Sequence, residues 1–181
     1  MGTDKLGRDL FSRIIYGART TLLVSLPSIA LAVGAGLILG LIAGYFGGRV
    51  DQVIMRVLDI FLAFPGLLLA IAVVAVLGPS IPNLIVTIAI LYTPRMARIV
   101  RGPVLSVKQH EFISAARVSG AGDWRIIRRH ILPNVLSPVI VDATLSASQA
   151  IITESALAYL GLGTPPPTPS WGEMLSSSRQ F

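Results

Sequence analysis

Residues Thr21 to Phe46 read TLLVSLPSIALAVGAGLILGLIAGYF and carry no charged side chain. A helix crosses hydrocarbon with about 20 mostly apolar residues rising about 1.5 Å each, so this run alone predicts a bilayer-spanning helix. Inside lipid the backbone must satisfy its own N–H and C=O groups, which leaves few other folds. Gly36, Gly40 and Gly44 stand four apart within the run. That spacing puts three small residues on one face, where a neighbouring helix can approach closely; the general abundance of glycine in membrane helices is the plainer explanation. The whole chain agrees with a membrane setting, because charged residues make up 13% of it against about 25% in soluble domains. With no cysteine, disulfides and thiolate metal sites are excluded.

Three further segments approach span length. Val57 to Leu77 holds Asp59 near one end and Pro65-Gly66 inside, which predicts a kinked helix. Ile81 to Arg101 loses its apolar character near Pro94, and Arg95, Arg98 and Arg101 follow at spacings of three. They share one side of a helix, expected to leave the membrane with that side in water or on headgroups. Val135 to Ile152 is the fourth span; it includes Asp142 and ends close to Glu154.

Orientation follows from positive charge. Arg95, Arg98, Arg101, Lys108, Arg117, Arg125, Arg128 and Arg129 lie between the third and fourth spans, eight of the fifteen basic residues. That loop is expected to be cytoplasmic. The connection bearing Arg49 and Arg56 is then cytoplasmic too, and 78–81 lies outside with everything after Glu154. Lys5, Arg8, Arg13 and Arg19 fall outside against the rule, offset little by Asp4 and Asp9, and the larger loop decides. The expected layout is an extracytoplasmic interfacial segment (1–20), a transmembrane domain (21–154) with a cytoplasmic loop at about 102–133, and an extracytoplasmic proline-rich loop (155–181). Residues 1–20 suggest a short interfacial helix, with Leu10, Ile14 and Ile15 opposed to Arg8, Ser12 and Arg19. No signal-peptide pattern opens the chain. Gly161 to Trp171 should be extended, with Pro165 to Pro167 in polyproline II.

The cytoplasmic loop has its own punctuation. Ser106 and Gln109 fit a capping box that starts a helix near Val107. That helix would carry Phe112, Ala115, Ala116 and Ser119 along one side, and Gly120-Ala121-Gly122 would stop it. Asp123 is placed to cap a second helix, Trp124 to Ile131, and Pro133 sits where the chain should turn into the fourth span. Small alanines flanked by Phe112 and Trp124, with an arginine rim, suit protein docking. A basic loop resting on anionic lipid is the plainer reading, and tethering beside the bilayer disfavours a DNA-binding helix-turn-helix.

The segment SAARVSGAGDWRIIRRHILP is similar to the EAA loop of bacterial ABC-importer permeases, whose pattern is EAA, three residues, Gly, nine residues, then I-x-L-P. Ala115, Ala116, Gly120, Leu132 and Pro133 match that spacing, while Ser114 stands at the family's Glu and His130 at its Ile. GTDKLGRDLFSRIIYGARTTL, GYFGGRVDQVIMRVLDIFLAFP, HILPN and ESALAYLGLGTPPPTPSWGEML resemble the second permease subunit of dipeptide, oligopeptide and nickel importers, over nearly the whole chain. The resemblance implies an all-α polytopic bundle with four of the family's six spans here, one missing at each end. It implies that the loop is a coupling hairpin seated in a cytoplasmic ATPase, with Phe112, Ala115, Ala116, Gly120, Asp123 and Trp124 as its contact residues. A second permease subunit, two ATPase subunits or domains holding ATP and magnesium, and an extracytoplasmic binding protein complete the implied assembly. Its implied place is a bacterial or archaeal cell membrane. No cofactor and no nucleic acid is expected on this chain.

The chemistry within the chain points the same way. Neither Lys5 nor Lys108 stands in a GxxxxGK pattern, so ATP energy must enter from another chain. Asp142 is expensive inside a span; it either lines the translocation path or makes helix-packing hydrogen bonds to a neighbouring subunit. Asp59 and Glu154 are explained by nearness to span ends. His110 and His130 lack the companions of a metal site. A membrane enzyme would need a histidine near Ser25, Ser28, Ser146 or Ser148, and none lies in the spans. A passive channel has no use for a motor interface. Peptide is the expected cargo and nickel the alternative.

Overall fold

The computed structural model describes residues 2–3, 7–165 and 168–178. Asp4 and Lys5 of the basic N-terminal segment, and Pro166 and Pro167 of the expected polyproline stretch, lie outside the described residues. The helices are α1 (Leu10–Phe46), α2 (Gly48–Leu62), α3 (Gly66–Leu77), α4 (Ile81–Val107), α5 (Glu111–Val118), α6 (Asp123–Ile126), a π turn (Ile127–Ile131), α7 (Leu132–Tyr159) and α8 (Trp171–Ser178). Among the described residues three continuous stretches are long and apolar enough to cross a bilayer: α1, α4 and Asp123–Tyr159; α2 and α3 reach that length and apolarity only when counted together across the sharp bend between them, as a broken span or a re-entrant loop. The chain divides into two compact units, one of Met1–Ala30, Pro65–Leu91 and Ser146–Phe181, the other of Leu31–Phe64 and Tyr92–Leu145.

In the first unit, Val24, Ala70, Val74, Leu84, Ile88, Ala150 and Leu157 are fully buried. Among the described residues no separate short helix precedes Thr21: α1 starts at Leu10 and runs on through Pro27 to Phe46. Its start is set by Asp9, whose Oδ2 accepts from the Ser12 N–H at 2.8 Å and the Ser12 hydroxyl at 2.6 Å, filling a donor the first turn would leave orphaned. No turn signal follows until the glycines after Phe46, so the amphipathic start simply continues as the apolar span. Short α8 is tied to that start. The Trp171 indole donates to the Ile14 carbonyl at 3.1 Å, and Arg13 pairs with Glu173 at 2.9 Å.

Glu154 corrects a second expectation. It is fully buried within α7, with the Ser155 hydroxyl beside its carboxylate, because α7 runs on to Tyr159. The helix stops where Gly161 takes φ +81° and the Leu162 N–H reaches back to the Leu157 carbonyl at 2.9 Å, a left-handed end that glycine supplies.

In the second unit the glycine face meets α4. A Cβ at Gly36 would lie 2.6 Å from Met96 Cβ, one at Gly40 2.6 Å from Val100 Cβ and the Ala97 carbonyl, and one at Gly44 2.7 Å from Val104 Cγ1. Met96, Val100 and Val104 are also four apart, so two i, i+4 rows interlock. Around them a core gathers Tyr45, Ile113, Ile126, Ile131, Val135 and Val139.

This contact explains why α4 does not end near Arg101 but carries on through Pro94 and Pro103 to Val107. The capping box expected at Ser106 is therefore absent: Ser106 lies in the last turn of α4, and its carbonyl accepts from the Gln109 N–H at 3.0 Å. The kink expected at Pro65-Gly66 is a complete break, with Pro65 at φ −57°, ψ 124° preceding α3, the extended state that proline readily supplies before a helix.

Candidate functional site

The loop between the last two long helices folds as a hairpin. His110 is extended (φ −70°, ψ 146°), and α5 begins at Glu111, whose charge suits the helix N-terminus while Arg117 suits the last turn. Ile113 is buried and Ala116 rests against the same core. Phe112, Ser114 and Ala115 stay exposed. The helix ends at Gly120, φ +82°, where the Ala121 N–H reaches the Ala116 carbonyl and the Gly120 N–H the Arg117 carbonyl, both at 3.0 Å. This is the glycine stop that the spacing predicts.

Asp123 is not the cap of the second helix. Gly122 occupies that position, and no side chain bonds the first turn. The Asp123 carboxylate instead accepts from the Tyr45 hydroxyl at 2.5 Å: a tertiary partner outcompetes the local cap. Trp124 is 72% exposed. The second helix does not stop before Pro133 either. Residues 127–131 widen into a π turn and α7 follows without interruption, an arrangement that absorbs the missing N–H and the ring of Pro133 by shifting the hydrogen-bond register just upstream. His130 lies beside Phe112, ring centres 6.2 Å apart, with His110 at 5.4 Å on Phe112.

Above the hairpin the three arginines of α4 meet three carboxylates. Arg95 pairs with Asp142 of α7 at 2.9 Å, Arg98 with Asp59 of α2 at 2.5 Å, and Arg101 with Asp51 of α2 at 2.5 Å. Arg95 and Arg98 stay about half exposed, as the expectation that this side faces water or headgroups has it, while Arg101 is drawn further in by Asp51. At spacings of three, successive side chains rotate about 60° around the helix, so one row of arginines reaches two different helices. Asp142 is 7% exposed, and a charge buried to that degree requires such a partner; Arg95 of this chain supplies one. Asp59, half-exposed near the end of α2, pairs with Arg98. Sequence reasoning missed Asp51 and Tyr45 altogether, since neither advertises a partner on a distant helix. Among the described residues no group of three or more His, Cys, Asp or Glu side chains is arranged to hold a metal ion.

Long apolar helices joined by a polar hairpin and an internal arginine ladder define a multi-pass α-helical membrane protein. Residues 36–179 match the family described as the binding-protein-dependent transport system inner membrane component, and the chain belongs to it. It is 53% identical over 180 residues to the dipeptide transport system permease protein DppC of Alkalihalophilus pseudofirmus, covering 99% of this chain and 59% of that protein. It is 48% identical to the di/tripeptide permease DppC of Pseudomonas aeruginosa (100% of this chain, 60% of that protein). With the glutathione permease GsiD of Pectobacterium atrosepticum the identity is 47% (99% and 60%). The chain thus spans about 60% of the length of these curated relatives. A chain in the crystal structure of an amino acid ABC transporter with histidines aligns with TM-score 0.67 over 100% of this chain and 85% of its own length, at 15% identity. At that identity the likeness concerns the fold.

Proposed function

We propose that the chain forms part of the membrane permease of an ABC importer for di- or oligopeptides, and that its hairpin docks on a separate cytoplasmic ATPase. One observation carries the docking role: the hairpin's Ile113 and Ile126 are buried in the core while Phe112 and Trp124 remain exposed on the same small body. A firmly seated hairpin with free aromatic anchors is what a mechanical contact needs, and the exposed Arg125, Arg128 and Arg129 favour the cytoplasmic side. Ala115, Ala116, Gly120 and Asp123 shape and hold this body. The relatives named for dipeptide, di/tripeptide and glutathione transport support peptide cargo over nickel.

The same proposal places 1–20 and 155–181 outside a bacterial or archaeal membrane. It assigns ATP and magnesium to two ATPase partners, and includes a second permease subunit and an extracytoplasmic binding protein. Asp142 lines the path in this proposal, its charge supported by Arg95. Coupling follows if the docked ATPase makes different contacts with the hairpin in its open and closed states. The test is uptake by proteoliposomes holding the full-length permease with its partner subunits. ATP-dependent entry of dipeptides supports the proposal; entry of nickel but not peptide, or uptake without ATP, contradicts it.

A further inference from the structure

One residue at the end of α1 meets every segment of the hairpin. Tyr45 is 3% exposed, in a core shared with Val104, Ile113 and Ile126. Its hydroxyl donates to Asp123 Oδ1 of α6 at 2.5 Å and accepts from Arg117 Nη2 of α5 at 3.2 Å. From the turn that opens the hairpin, the Lys108 ammonium donates to the Tyr45 carbonyl and lies 5.7 Å from the centre of its ring. The last carbonyls of a helix lack intrahelical donors. Here α1 stops at once, because Gly47 and Gly48 take φ +66° and +53°, and the lysine supplies one.

A ring alone would fill this part of the core. The hydroxyl adds a carboxylate on one side and a guanidinium on the other, so both its donor and an acceptor position are used by charged groups, whose hydrogen bonds are the stronger kind. The backbone already joins the hairpin to α4 and α7, whereas α1 reaches it through side chains, with Tyr45 supplying polar ones. We infer that Tyr45 is the positioning residue that locks the hairpin to α1, so that a moving ATPase displaces α1 together with α4 and α7. The inference rests on the docking role proposed above.

The test uses Tyr45→Phe, Asp123→Ala and Asp123→Asn in the full-length permease, reconstituted with its partner subunits. Two readouts are taken: the mobility of a nitroxide at Val118→Cys, a position 91% exposed on α5, and peptide moved per ATP hydrolysed. Tyr45→Phe, which keeps the ring, is expected to mobilise the label and lower peptide moved per ATP about tenfold while the ATPase stays bound. Asp123→Ala should likewise mobilise the label and lower peptide moved per ATP. Asp123→Asn, which keeps an acceptor oxygen, should return both readouts toward those of the unsubstituted protein, and Tyr45→Phe with Asp123→Ala should be no worse than either alone. Asp123 is exposed, so its variants test the idea even if Tyr45→Phe folds poorly. Unchanged label mobility and unchanged peptide per ATP in Tyr45→Phe and Asp123→Ala would overturn it. A label mobilised by Tyr45→Phe on a hairpin that binds no ATPase would overturn the docking role and leave the lock standing.

Discussion

The Arg101 guanidinium grips the Asp51 carboxylate with two parallel hydrogen bonds of 2.5 Å, from Nε and Nη2. The fork matches both oxygens and holds α2 against α4 at a point where Asp51 is only 14% exposed. In Arg98 with Asp59 a single bond joins two half-exposed side chains. Geometry and burial both favour the first pair, so the two should differ in worth.

Asp51→Ala should destabilise the protein by about 1–3 kcal/mol, the range for hydrogen bonds to charged groups that lose their partner in partial burial. Asp59→Ala should cost about 0–1 kcal/mol, as exposed pairs do. Unfolding of the detergent-solubilised protein compares them, and equal losses would contradict the ranking. Arg101→Lys should behave like Asp51→Ala, because an ammonium cannot reproduce the fork.

Gly40→Ala would push a methyl to 2.6 Å from Val100 and the Ala97 carbonyl. Overpacking of this kind costs about 1–3 kcal/mol. Gly34→Ala meets nothing within 4 Å and should be neutral or stabilising by up to about 1 kcal/mol through helix propensity. The same unfolding experiment separates them, and a comparable loss at both sites would contradict the close contact of α1 with α4.

Asp9 gives the start of α1 a pH dependence. The Ser12 hydroxyl, and then the Ser12 N–H, hold its carboxyl below the ordinary value of 3.8. A depressed folded pKa stabilises above the unfolded value and loses that contribution as pH falls through the folded one. Hydrogen exchange at the Ser12 amide should therefore stay slow, relative to the intrinsic rate, down to the ordinary carboxylate range and become unprotected below it. Asp9→Ala should remove the pH dependence, and protection that persists in strong acid would contradict the cap.

Trp124→Ala should weaken ATPase binding by about 2 kcal/mol, the scale of an aromatic hot spot. Stability should move by no more than about 0.5 kcal/mol, as for surface positions, because the side chain is 72% exposed. Binding measured by titration against unfolding of the same variant decides it; loss of stability with unchanged affinity would reverse the assignment.

Much of the fold was legible because lipid leaves few options. The charge-free run after Thr21 had to be helical, the fourfold glycine spacing marked the face that meets α4, and Gly120 marked the end of α5. What local reasoning missed was decided by partners far along the chain. Ser106 and Asp123 look like caps, yet the glycine face extends α4 past the first and Tyr45 claims the second. Arg95 and Arg98 are half-exposed as the pattern suggests, but their pairing with Asp142 and Asp59, and that of Arg101 with Asp51, shows in no local pattern. The π turn before Pro133 leaves no sequence signature that separates it from a simple break. Within the hairpin, exposure divides Ala115 from Ala116, a distinction that pattern alone did not make.

Cysteine crosslinking tests the docking role most directly, since this chain holds no cysteine. Ala115→Cys, exposed on α5, is introduced into the full-length permease and expressed with ATPase partners carrying single cysteines in their membrane-facing cleft. A disulfide to the ATPase whose yield changes with ATP is the predicted result. No disulfide at any cleft position, with the Ala115→Cys thiol shielded by lipid instead, would contradict the coupling hairpin and make this segment a membrane-resting loop.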